Sequence, residues 1–144
     1  MISEPLRQEK AKAWLSAHHL RQTRPRLAMV ACLLETKNPV TLAELQKRAG
    51  QSCDFATVFR FMEILSKENL VATHSWGDRQ LRYELAENQA GHHHHHHLVC
   101  KVCKRIESVD ACVISKLEKN LSSQFGFKGI THQLEFFGVC PNCQ

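Results

Sequence analysis

A chain of 144 residues can hold one ordinary domain or two small ones, and a formal net charge of +5 with a pI near 8.9 leans toward a polyanionic partner. The amino terminus, MISEPLRQEK, lacks the apolar stretch of a signal peptide, and no window approaches the roughly 20 apolar residues that span a bilayer. No membrane partner is therefore expected, and a cytoplasmic location is. Two small domains would each bury little core, so a metal staple and dimerisation are the expected supplements.

Residues 8–19 (QEKAKAWLSAHH) read as a short helix with Ala11, Trp14, Leu15 and His18 on one face. Thr23 is placed to cap the next helix, Pro25 fits its first turn, and Leu27, Val30, Ala31 and Leu34 form a buried stripe running to about Glu35. Asn38-Pro39 breaks that pattern. Thr41 and Glu44 form a capping box for a helix ending near Ala49-Gly50. Asp54 caps FATVFRFMEILSKENL, in which Phe55, Val58, Phe59, Met62 and Leu65 are expected in the core while Thr57 and Arg60 lie off that stripe. Two helices joined by a short turn are the helix-turn-helix arrangement, whose second helix fits a DNA major groove. Residues 71–85 alternate on either side of Gly77-Asp78 and read as a β-hairpin, which in this position is a wing. Patterning alone leaves open a plain amphipathic three-helix bundle with a hairpin attached.

The stretch AENQAG at 86–91 is polar and without period, and it sets the expected organisation: a winged-helix DNA-binding domain over 1–86, a hinge at 87–91, and a metal-binding dimerisation domain over 92–144. The order strand, strand, helix over 110–125 (Val113, Leu117, Leu121 and Phe125 on its apolar face), strand makes this second half a small α+β domain, and the fold class as a whole α+β. An exposed sheet edge there favours a homodimer. Two Cys-x-x-Cys pairs, Cys100/Cys103 and Cys140/Cys143, put four thiolates on two tight turns, the donor set of a closed structural Zn(II) site. Redox pairs or disulfides are the competing readings, but a redox Cys-x-x-Cys normally comes singly at a helix start, and a reducing cytosol disfavours disulfides. Of the remaining cysteines, Cys32 sits in an apolar run and is expected in the core. Six histidines, His92 to His97, precede the first pair; on an extended strand they alternate faces, His95 and His97 one way, His94 and His96 the other. An inserted tag or a loosely binding tract is the alternative, but this run merges directly into L-V-C.

Taken together, L-R-Q-T-R-P-R-L at 20–27, D-F-A-T-V-F-R at 54–60, Y-E-L at 83–85, H-H-H-H-H-H-L-V-C-K-V-C and T-H-Q-L-E-F-F-G-V-C-P-N-C resemble the ferric uptake regulator (Fur) family of metal-dependent transcriptional repressors. The resemblance implies a winged helix, a dimerisation domain, and binding to double-stranded promoter DNA switched by a divalent metal at the hinge. It makes Cys100, Cys103, Cys140 and Cys143 the structural zinc ligands. It places Glu84, His95 and His97 at the regulatory site, which takes Zn(II) or Fe(II). The family often has a histidine where this chain reads Asn38 and Pro39, and His74 on the wing is the expected replacement. A second site in the dimer domain takes His94, His96 and His132; counting back from His132 to the family's glutamate lands on Ser115, with Cys112 and Glu118 one turn to either side, and Glu118 is the assigned ligand. Arg21, Thr57, Phe59 and Arg60 match DNA-contacting positions, Phe59 standing where the family has tyrosine.

The leading functional expectation is a homodimeric, metal-activated repressor of metal-uptake genes. The polyhistidine run and the T-H-Q-L-E-F-F-G-V-C tail favour zinc; iron is the runner-up, with manganese, nickel and peroxide sensing behind. A zinc hydrolase or thiol oxidoreductase is the second class, disfavoured because four cysteines leave no open coordination position. A zinc store or chaperone exploiting the histidines is the third.

Overall fold

The computed structural model describes residues 4–50, 53–86, 95–110 and 114–144. The chain divides into two compact units, Met1–Ala86 and Glu87–Gln144.

In the first unit, α1 (Glu4–Ala17), α2 (Arg24–Glu35), α3 (Leu42–Ala49) and α4 (Phe55–Lys67) build the bundle, with the short strand β1 (Val40–Thr41) before α3. Local chemistry sets three of the helix starts. Thr23 Oγ1 accepts from the N–H of Arg26 at 3.4 Å, with Pro25 in the first turn. Thr41 Oγ1 accepts from the N–H of Glu44 at 3.2 Å, while the Glu44 carboxylate accepts from the N–H of Thr41 at 2.8 Å, a complete capping box. Asp54 Oδ1 accepts from the N–H of Thr57 at 2.7 Å and opens α4. Gly50 ends α3 at φ +83°, a backbone state that a side chain would strain.

Strands β2 (Val71–Ser75) and β3 (Leu81–Leu85) form the hairpin, and β1 joins its far side to give a three-stranded antiparallel sheet in the order β1-β3-β2. The pairing Val40 with Tyr83 and Thr41 with Arg82 gives the wing a third strand that two residues before a capping box did not announce. The core of this unit runs through Ala11, Leu15, Met29, Val30, Cys32, Leu45, Val58, Phe61, Met62 and Leu65. Cys32 is buried as expected, and burial pushes its thiol above the ordinary range despite the Arg7 guanidinium 3.3 Å away. Three apolar assignments are corrected. Phe55 and Phe59 are 51% and 46% exposed, and Phe61 takes the core position instead. Leu34 likewise turns outward while Met29, Cys32 and Leu33 are buried.

The second unit is a three-stranded sheet with β4 (His96–Cys100) in the centre, antiparallel to β5 (Ile106–Val109) and parallel to β6 (Glu135–Gly138). Helix α5 (Ser115–Phe125) lies between β5 and β6 in the chain, and a single 3-10 turn, Pro141–Cys143, follows β6. The apolar stripe expected on α5 is not buried: Leu117 and Phe125 are exposed, and no residue of the helix is fully enclosed; Val113 lies outside the described residues. What is enclosed is the centre of the sheet, where His96, His97, Val99 and Cys100 are all buried.

Candidate metal centres and nucleic-acid interface

The tight turn after β4 presents Cys100 and Cys103, with the Lys104 N–H bonded to the Cys100 carbonyl at 3.0 Å and the Cys100 N–H bonded to the Arg105 carbonyl at 2.9 Å. The turn after β6 presents Cys140 and Cys143, its own Cys143 N–H bonded to the Cys140 carbonyl at 2.9 Å. Parallel pairing of β4 with β6, Cys100 opposite Gly138, brings the two turns side by side. The four sulfurs lie within 4.8 Å of one another, and Cys103 Sγ and Cys140 Sγ are 3.7 Å apart. Four sulfurs at the ~2.3 Å of a Zn–S bond in a tetrahedron stand ~3.8 Å from each other, so the cluster has the size and the donor chemistry of a structural zinc site. Its thiols are unequal. The N–H of Cys140, 3.4 Å from Cys100 Sγ, together with the N–H of Cys103 holds that thiol down at about 6. Hydrogen bonding to the sulfurs of Cys140 and Cys103 pushes Cys143 up to about 12.

Alternation along β4 separates the histidines. The rings of His95 and His97 lie 5.1 Å apart, centroid to centroid. His96 meets His132 instead, Nε2 to Nε2 at 3.4 Å. His132 Nδ1 is 2.8 Å from the Glu118 carboxylate, which the first turn of α5 carries toward it. Two imidazole nitrogens each ~2.05 Å from one tetrahedral ion would be separated by ~3.3 Å, so the pair fits a shared metal, and Glu118 fits either as a further ligand or as the carboxylate that fixes the tautomer of His132. Ser115, where the family spacing pointed, begins α5, whereas Glu118 makes the contact. His94 lies outside the described residues, as does Cys112.

In the first unit, His74 on β2 and Glu84 on β3 are brought together across the hairpin, Nε2 to Oε1 at 2.8 Å, both largely shielded from water. Beside them the hairpin is braced by Arg82: its guanidinium holds the Asp78 carboxylate at 3.1 and 2.6 Å and stacks 5.0 Å from the Trp76 ring. That hydrogen bonding keeps the Asp78 carboxyl down at about 2. The sequence reading did not anticipate this brace; an Asp-x-x-x-Arg spacing across a turn was its signal.

Helix α3, a short turn and α4 form the helix-turn-helix, with β2 and β3 as the wing. Thr57 is partly exposed, and Arg60 is exposed with its Nε bonded to the Ala56 carbonyl at 3.2 Å. Phe59 shares their helix, and Arg21 lies exposed in the turn before α2, its carbonyl accepting from Arg26 at 3.4 Å.

A winged helix followed in one chain by a four-thiolate cluster and a histidine-bearing strand defines a metal-responsive transcription regulator. The chain belongs to the ferric uptake regulator family, whose sequence pattern matches residues 17–137. It is 31% identical over 139 residues to the ferric uptake regulation protein of Bacillus subtilis, covering 94% of this chain and 93% of the relative. It is 29% identical over 135 residues to the zinc uptake regulation protein of Mycobacterium tuberculosis, covering 90% and 99%. Its fold resembles the Vibrio cholerae ferric uptake regulator with a TM-score of 0.73 at 26% identity, covering 90% of this chain and 98% of that one. Members of this family are transcription regulators, and the hydrolase and oxidoreductase readings fall with that finding. Among the described residues, no helix is long and apolar enough to cross a membrane.

Proposed function

We propose that the protein is a homodimeric, zinc-sensing repressor of metal-uptake genes. The observation that carries the choice of metal is the imidazole-rich donor set: His96 and His132 face each other at 3.4 Å with a carboxylate behind, while His97, the next residue of the strand, pairs with His95 just before it. Imidazole nitrogen in this proportion suits Zn(II). Similarity to the Mycobacterium tuberculosis zinc uptake regulation protein supports the same reading.

His74 and Glu84 from the wing, with His95 and His97, are the proposed regulatory ligands. When bound, the metal supplies a positive centre that favours whichever domain arrangement gathers these side chains best. The residues themselves set the response, because a shift from 1:99 to 99:1 in favour of the DNA-binding arrangement requires that arrangement to bind the ion roughly 10⁴-fold more tightly. Each His–Glu or His–His pair is held ready within its own unit, so little side-chain ordering remains to be done on binding.

Dimerisation through the second unit is supported by its uncovered apolar surface. Leu98 and Phe136, neighbours in the β4–β6 register, are both exposed, and Phe137 and Val139 follow them. DNA contact is assigned to Arg21, Thr57, Phe59 and Arg60, and a cytoplasmic location follows from acting on promoters.

Iron sensing is the second reading, favoured by the 31% identity to the Bacillus subtilis ferric uptake regulation protein and by the Glu84 carboxylate. A gel-shift against promoter DNA, with each divalent metal buffered at its physiological free concentration, separates the two. Complex formation with buffered zinc and none with buffered Fe(II) is expected; the reverse pattern refutes zinc sensing.

A further inference from the structure

The first turn of α4 carries an apolar side chain that packing does not account for. Phe55 is the first residue of the helix, directly after the Asp54 cap, and half of it faces water. Phe59, one turn on, is nearly as exposed, while Val58, Phe61, Met62 and Leu65 fill the core from the opposite side. Residues four apart share a helix face, so the two rings stand in a row. They differ in support. Phe59 borders a small cleft with Leu42, Met62 and Tyr83, whereas Phe55 is not part of that lining.

The chemistry around the rings selects an occupant. The Asp54 carboxylate is engaged by the Thr57 N–H, Ala56 is exposed and neutral, and Arg60 is the cation of this turn, laid along the helix by its bond to the Ala56 carbonyl. Glu63 lies farther along the same face. An apolar row with one cation at the N-terminal end of a recognition helix suits the floor of a major groove, where the first residues of such a helix meet base edges and thymine alone presents a methyl group. Phosphate contact would call for charge or hydrogen-bond donors instead.

Resting on the DNA-binding reading above, we propose that Phe55 is a specificity-determining residue, packing its ring against a thymine 5-methyl group and forming with Phe59 a two-ring thymine reader. Side chains four residues apart are separated by ~6 Å along the helix, between one and two base steps of ~3.4 Å. The recognised half-site should therefore carry thymines on adjacent or next-adjacent base pairs.

The test uses the full zinc-loaded chain. Selection from a random duplex library yields a preferred sequence, which is resynthesised with each thymine in turn replaced by deoxyuridine, removing one methyl and nothing else. Wild type should bind roughly fourfold more weakly at each of two such positions, the change ordinary for one methyl returned to water. Phe55→Ala should bind the unmodified duplex several-fold more weakly and become indifferent to deoxyuridine at one of the two positions. Phe59→Ala should become indifferent at the other, and Phe55→Leu should retain most of the methyl response. Thermal transitions equal to wild type are expected, because Phe55 is outside the core. A Phe55→Ala deoxyuridine profile identical to that of wild type overturns the proposal, as does a weakening spread equally over random duplexes. Failure of wild type to select any sequence overturns the DNA-binding reading itself.

Discussion

Stripping zinc from the cysteine cluster should unfold the second unit and leave the first standing. In Glu87–Gln144, Val99 and Cys100 are the only buried apolar side chains among the described residues. Full burial of one valine contributes about 1.5–3 kcal/mol, while ordering each residue costs about 1–2 kcal/mol. Zinc bound at a structural thiolate site contributes about 10–16 kcal/mol, as much as the whole stability of an ordinary domain. The first unit has its own core in Leu15, Met29, Val30, Leu45, Val58, Met62 and Leu65 and does not depend on the ion. Scanning calorimetry with and without a strong chelator should lose one of two transitions and move the other by only a few degrees. Proton release gives an independent check. Thiols of the unfolded, metal-free unit, at their ordinary value of about 8.5, are mostly protonated at pH 7 and must lose their protons to ligate. Protons leave as the ion arrives, so affinity should rise with pH by about tenfold per unit for each proton released. A second-unit transition that survives in metal-free protein, or zinc affinity flat between about pH 6 and 8, would refute this account.

Three further outcomes follow from the geometry. Replacing His95 and His97 together with alanine should abolish metal-dependent DNA binding with structural zinc retained, whereas His96→Ala/His132→Ala should remove one separate metal equivalent; calorimetric titration of the two double mutants distinguishes them, and equal losses would make the run a nonspecific collecting tract. Arg60→Ala should weaken binding to the selected duplex by about 1–3 kcal/mol if it reads a base, with unchanged affinity moving Arg60 off the interface. Because Arg82 keeps the folded Asp78 carboxyl near 2, the brace is fully present above the ordinary carboxylate range and is lost as pH falls toward about 2; Trp76 fluorescence in a Trp14→Phe background should report that loss, and Asp78→Asn should remove the titration.

Helix starts were legible in the sequence because capping is local chemistry. Thr23, Thr41 with Glu44, and Asp54 each needed only neighbours within three positions, and all three caps formed. The Cys-x-x-Cys turns were legible for the same reason, and the strand alternation that parts His96 from His97 follows from a period of two. The inner face of α4 was not. With apolar residues at 55, 58, 59, 61, 62 and 65, more than one stripe satisfies helical spacing, and only the position of the sheet and of α2 selects Phe61 over Phe55 and Phe59. Counting along the chain landed on Ser115, and Glu118, assigned from one turn farther on, is the residue that meets His132. The third strand of the wing, two residues long, was too short to show any period.

The parallel pairing of β4 with β6 has a topological consequence. Its two cysteine turns close a ring of chain through a single ion, and β5 and α5 are segments of that ring. Closing a loop of roughly forty residues costs little more entropy than closing one half as long, so the ring is an inexpensive way to fix distant segments. A protease cut anywhere between the turns would leave two fragments joined by the metal, migrating as one species until a chelator is added. Such a nicked form would still present both turns and both outer strands, which makes zinc, rather than the continuity of the backbone, the element that keeps this half of the protein in one piece.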